Sequence, residues 1–123
     1  MSLEKLDPIE INFMGEDKAF RYTLYSFAQY KRLTGNSLLT NFDPTDPETL
    51  FAYLWVGMIQ DDSKLDERVY PGKKPEKYLK LEEKFLRNND FKLLEEYSIA
   101  IQEALERSLP KKEEKSEPSK KKE

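Results

Sequence analysis

The sequence predicts an α+β protein, mainly α-helical, with an N-terminal β-hairpin packed on four to five helices and a disordered C-terminal tail. Three observations carry this. Apolar residues alternate with polar ones over Ile9, Ile11 and Phe13, and again over Phe20, Tyr22 and Leu24, on either side of Gly15-Glu16-Asp17-Lys18. A period of two puts such residues on one face of paired strands. From Phe27 onward the apolar spacing changes to three and four residues, which is the period of a helix face. The stretch PKKEEKSEPSKKKE at the end has no aliphatic or aromatic side chain to bury, and such composition does not fold by itself.

Taken in order, the elements form one domain, residues 1–109, and a Lys/Glu-rich tail, residues 110–123. The hairpin covers about 9–24, and because a lone pair of strands is marginal in water its apolar face should lie against helices. Ser26 with Gln29 three residues on reads as a capping box. Phe27, Tyr30 and Leu33 then follow at helical spacing and Gly35 supplies a left-handed stop, which gives a helix over about 26–34. Asn36 to Phe42 leaves room for a further turn or two before Asp43-Pro44. That segment is why the helix count is four to five.

Thr45-Asp46-Pro47-Glu48 combines an N-cap, a first-turn proline and an early acid, all favourable at a helix start. The helix it opens, about 46–60, carries Leu50-Phe-Ala-Tyr-Leu-Trp-Val-Gly-Met-Ile59 and is apolar on nearly every side. It is either the central helix or it offers a second apolar face to a partner. Gln60 to Lys74 is polar, contains Pro71-Gly72 and reads as a long, mobile loop. Pro75 starts a helix over about 75–87 with Tyr78, Leu81 and Phe85 on one face. Asn88-Asn89-Asp90 interrupts it and caps a last helix over about 90–109, striped by Leu94, Tyr97, Ile101, Leu105 and Leu109.

Composition narrows the chemistry. Apolar and charged residues each make up 37% of the chain, so a thin core sits under a heavily solvated surface. There is no Cys and no His, which removes disulfides, thiolate nucleophiles, the usual zinc ligands and the side chain that titrates near neutral pH. Met1 to Glu10 is acidic and broken by Pro8, unlike a secretory signal, so the protein is expected to stay in the cytoplasm where it is made. The longest apolar run, Leu50 to Ile59, is about half of what a helix needs to cross a bilayer. The tail holds six Lys and four Glu, a net of +2, leaving −5 for the body. An acidic body argues against general DNA binding.

Four constellations bear on function. Asp61-Asp62-Ser63-Lys64-Leu65-Asp66-Glu67 has the acid density of a calcium loop, but Leu65 stands where a ligand should be and the central Gly is missing, so it reads as a solvated loop. Lys77, Lys80, Lys84 and Arg87 share one helical face, diluted by Glu76, Glu82 and Glu83, and read as an ordinary solvated surface. Trp55, with Phe51, Tyr53 and Met58, is either core or an aromatic anchor for a partner. No Gly-rich phosphate loop or nucleophile elbow occurs, no pair of carboxylates is nominated for catalysis, and no cofactor or metal is implied.

The order of elements resembles the tail assembly chaperones of long-tailed bacteriophages, prophages and gene transfer agents. The resemblance rests on the strand pair, then Leu24-Tyr-Ser-Phe-Ala-Gln-Tyr-Lys-Arg-Leu-Thr-Gly35 leading to Ser37-Leu-Leu39, then LFAYLWVGMI, then the long C-terminal helix. It covers residues 20–60 and 90–109. The loop and lysine-rich helix between them are longer and more basic than that pattern. The resemblance implies a non-enzymatic chaperone of the host bacterial cytoplasm that binds the phage tape measure protein, with the tail tube protein or a second copy as further partners. Phe42, Tyr53 and Trp55 are the residues expected to contact a partner. It also implies a longer product made by ribosomal frameshifting at an A-rich site, with which Lys111-Lys112 and Lys120 to Lys122 are compatible. The alternatives are a nucleic-acid-binding regulator that uses the basic helix 73–87 and a self-assembling head or tail component.

Overall fold

The structure, a computed structural model, describes residues 8–40, 42–43 and 45–108. The tail 110–123, Leu109 and the first seven residues, on which several sequence expectations fall, lie outside the described residues. Within them the expected architecture is observed: an antiparallel hairpin of β1 (Ile9–Phe13) and β2 (Glu16–Phe20), followed by four helices, α1 (Leu24–Thr34), α2 (Pro47–Met58), α3 (Glu76–Asn88) and α4 (Phe91–Ser108).

The hairpin register differs from the alternation read in the sequence. Ile9 pairs with Phe20 and Phe13 with Glu16, so the turn is Met14-Gly15, both at positive φ (53° and 89°). A two-residue turn of this kind matches the twist of the flanking strands. It pulls Glu16–Asp17–Lys18 into the strand and ends the strand at Phe20. Tyr22 is buried in the core beyond it, and Leu24 is the first residue of α1. The cap moves accordingly. Thr23, not Ser26, caps α1. The Ser26 N–H donates to the Thr23 hydroxyl (3.4 Å) and the Thr23 N–H donates to Ser26 Oγ (3.0 Å). Gly35 closes the helix at φ 82°, as read. Ser37–Thr40 forms a turn and not a fifth helix, with the Thr40 N–H on Ser37 O.

Helix α2 is capped by Asp46, whose carboxylate accepts from the Glu48 N–H, and it carries Pro47 in its first turn. Every residue from Leu50 to Ile59 is buried, so the structure selects the first of the two readings of this helix. It is the central element, with α1, α3, α4 and β2 packed around it. Phe13 of β1 stacks on Phe85 of α3 (ring centroids 5.7 Å, 2° between planes). Phe51 of α2 and Tyr97 of α4 tilt onto the same Phe85 ring at 5.3 Å and 5.8 Å. One aromatic cluster thus joins the hairpin to three helices, a geometry that adds directional preference to area burial.

The hairpin comes closest to α2 at Gly57. The Arg21 N–H donates to Gly57 O at 3.1 Å, and the Phe20 ring occupies the space where a Cβ on residue 57 would stand. Gly57 is the residue type this approach requires. Gly57→Ala is expected to destabilise the fold by about 1–3 kcal/mol, the usual cost of overpacking a filled core. The check is a urea denaturation curve, where an unchanged midpoint would show that the ring moves aside freely.

Candidate functional site

The three residues expected to meet a partner are placed differently. Tyr53 and Trp55 have no exposed surface. They belong to the core, which corrects the expectation that they face a partner, and the cause is the all-round enclosure of α2. Tyr53 donates its hydroxyl to Leu38 O at 2.7 Å, which pins the turn after α1, and its ring lies 4.9 Å from Tyr30 and 4.6 Å from Phe42. Trp55 meets Tyr78 edge-on at 5.1 Å. Phe42 is half-buried and completes the cover over Tyr53.

The acidic loop is held and not free. Asp61 accepts from Arg21 Nη2 (2.9 Å), Asp62 from Lys18 Nζ (2.7 Å) and Asp66 from the Tyr25 hydroxyl (2.9 Å). Burial pushes the Asp62 carboxyl up, and the hydrogen bond and charge of Lys18 more than offset it, so its value lies below the ordinary 3.8. Gln29, fully buried on α1, donates Nε2 to Glu67 O (2.9 Å) and accepts the Val69 N–H on Oε1 (3.1 Å). A polar side chain that satisfies two backbone groups of a distant segment is a structural tie. The segment read as mobile is therefore strapped across the hairpin and α1. Among the described residues no group of three acidic side chains is arranged to hold a metal ion. On α3, Lys80 pairs with Glu76 and Arg87 with Glu83, each one turn away and well exposed. Pairs of this kind contribute little to stability and dilute the basic stripe.

The exposed apolar surface lies elsewhere. On α3, Leu79 and Leu86 are 46% and 38% exposed. Phe91, at the start of α4, is 75% exposed. Leu86 is shared by two concavities. One, of about 180 Å³, is a hollow between Pro47, Phe85, Leu86, Phe91 and Leu94, closed by Asn89 and Asp90. The other, of about 450 Å³, is a groove lined by Leu79, Glu82, Glu83, Leu86 and Arg87. Joined at Leu86, they set an apolar strip of Leu79, Leu86 and Phe91, flanked by charged side chains, across the α3–α4 elbow, the kind of surface that marks partner binding. The sequence does not single it out, because Tyr78, Leu81 and Phe85 already supply α3 with an apolar face. The available signal was Leu79 and Leu86, seven residues apart and off that face.

Glu82 lies between these two leucines and is only 9% exposed. Its Oε2 is sealed from solvent and has no hydrogen-bond partner among the described residues. Burial pushes its carboxyl up, Lys74 draws it back and the charge of Glu48 pushes it up again, leaving it above the ordinary 4.5. The folded chain then binds this proton more tightly than the unfolded chain does, so stability falls as pH rises from the unfolded value through the folded one. Glu82→Gln removes that loss. Its urea midpoint is expected to match the parent's at about pH 4 and to exceed it at neutral pH. A Gln variant less stable than the parent at neutral pH would show that the carboxylate is held by a favourable contact.

No helix among the described residues is long and apolar enough to cross a membrane. Compared with known protein families, curated proteins and solved structures, the chain matches none.

Proposed function

We propose that this chain is a non-enzymatic binding protein that acts as a tail assembly chaperone, engaging an apolar helical segment of the phage tape measure protein in the host cytoplasm. The observation that carries the reading is the strip formed by Leu79, Leu86 and Phe91 with its 180 Å³ hollow. A rigid helical frame with an open apolar strip suits docking of an amphipathic helix. The strip is bordered by Glu83, Arg87, Asn89 and Asp90, a polar rim that keeps the free protein soluble while the apolar centre supplies the contact. The resemblance of the element order to that of the tail chaperones supports the choice of partner. With Tyr53 and Trp55 in the interior, this reading takes the α3–α4 elbow, in place of α2, as the partner surface.

Co-expression with the tape measure protein encoded downstream tests this. A complex that survives high salt, solubilises the tape measure protein, and is weakened at least roughly tenfold by Leu86→Asp or Phe91→Asp is the expected result, since each change removes apolar area that the complex would bury and puts a charge in its place. Circular dichroism should show both variants folded, because both side chains lie at the surface. A folded parent that neither binds nor solubilises the tape measure protein would overturn the proposal. Binding that vanishes with salt and on reversing Lys77, Lys80 and Lys84 would instead indicate a nucleic-acid ligand.

A further inference from the structure

Within the strip, Glu82 is anomalous. A carboxylate nine-tenths buried between two leucines, with one oxygen lacking a donor among the described residues, is costly unless a donor reaches it from elsewhere. We propose that the α3 groove is completed by a helix of another protein that sets an Arg or Lys against Glu82, between two apolar residues that cover Leu79 and Leu86. This rests on the reading of the strip as a partner site and specifies the partner's chemistry there.

The spacing defines the occupant. Leu79 and Leu86 stand two helical turns apart, about 10 Å along the axis, with Glu82 and Glu83 between them on the groove wall. A facing helix with apolar residues seven apart matches the leucines, and a cation midway meets the carboxylate. The terminal torsion of a glutamate is broad, so a turn of the carboxyl group presents Oε2 to that cation. Charge supports this choice. Glu48 acts on Glu82 with the same sign, Lys74 is the cation among the described residues that draws its carboxyl down, and the nearby Arg87 is already paired with Glu83. An added guanidinium would satisfy the carboxylate in a desolvated setting, where charge-assisted bonds are strongest.

Two other occupants fit less well. A second copy pairing through the same strip, antiparallel about a two-fold axis, lays Leu79 on Leu86 but sets Glu82 against Glu83. A parallel pairing sets Glu82 against Glu82. Carboxylate meets carboxylate either way. The chain's own residues 110–123 have lysines but no aliphatic or aromatic side chain to cover the leucines.

The test uses the full chain and labelled alanine-based helical peptides of about twenty residues, carrying two leucines seven apart with an Arg midway, and twins with Gln in place of the Arg. In fluorescence anisotropy the Arg peptide should bind the parent about tenfold more tightly than its twin. That preference should collapse towards unity for Glu82→Gln, persist for Glu83→Gln, and be lost with all binding for Leu86→Asp. Glu82→Gln keeps the size of the side chain, and circular dichroism should show it folded. Equal binding of the twins to the parent, or binding of neither, overturns the inference, while tape measure co-purification independently decides the chaperone reading. A dimer in sedimentation that Leu86→Asp dissociates would also overturn it, by placing a second copy on the strip.

Discussion

Ten consecutive residues, Leu50 to Met58 of α2 and its C-cap Ile59, are buried, and a helix with no polar side has to be enclosed on all of its sides. That requirement organises the remainder of the protein. Helices α1, α3 and α4 and the second strand each cover one flank, and the aromatic cluster around Phe85 fills the space where hairpin and helices converge. The hairpin has too little area to be stable alone and is held because its buried residues, Ile11, Phe13 and Phe20, serve as part of this enclosure. Buried hydroxyls are used to fix the connections. Tyr22 donates to Tyr53 O at 2.8 Å and Tyr53 donates to Leu38 O, so the turn after α1 is anchored to the helix it leads into.

Charge is arranged around that apolar centre in two ways. The loop after α2 brings Asp61 and Asp62 to the cations of β2 and its exit, Lys18 and Arg21, and Gln29 holds its backbone. These contacts link segments about forty positions apart and convert an acidic run into a fastening. On α3, Lys80 and Arg87 pair along their own helix, which leaves the leucine stripe of that helix as its distinctive outward feature. The partner surface proposed for this protein therefore lies where the core enclosure is complete and an additional apolar row remains.

Much of the fold was legible because local signals agreed with one another. Asp46-Pro47, Gly35 and Asn88-Asn89-Asp90 mark helix ends for physical reasons that operate within a few residues. The register of β2 was not legible, since Phe20, Tyr22 and Leu24 alternate as a strand would, while the decisive constraint was a two-residue turn at Met14-Gly15. The roles of Tyr53 and Trp55 depended on how many elements surround α2, which a helix apolar on all sides does not disclose. Gln29 has the spacing of a capping partner, yet it accepts from Arg32 and ties down Glu67 and Val69, which are remote in sequence. The strip at Leu79, Leu86 and Phe91 was hidden for the converse reason: α3 already had one apolar face, and a second row becomes meaningful only when the first is seen to be covered.

The contact between Phe20 and Gly57 has an evolutionary consequence. The ring fills the volume that any side chain at position 57 would need, so the two positions share one allotment of space. A lineage that enlarges residue 57 must shrink residue 20 at nearly the same time, passing through an intermediate that is either crowded or hollow. Among sequences descended from a common ancestor with this fold, these two sites should change rarely and, when they change, together.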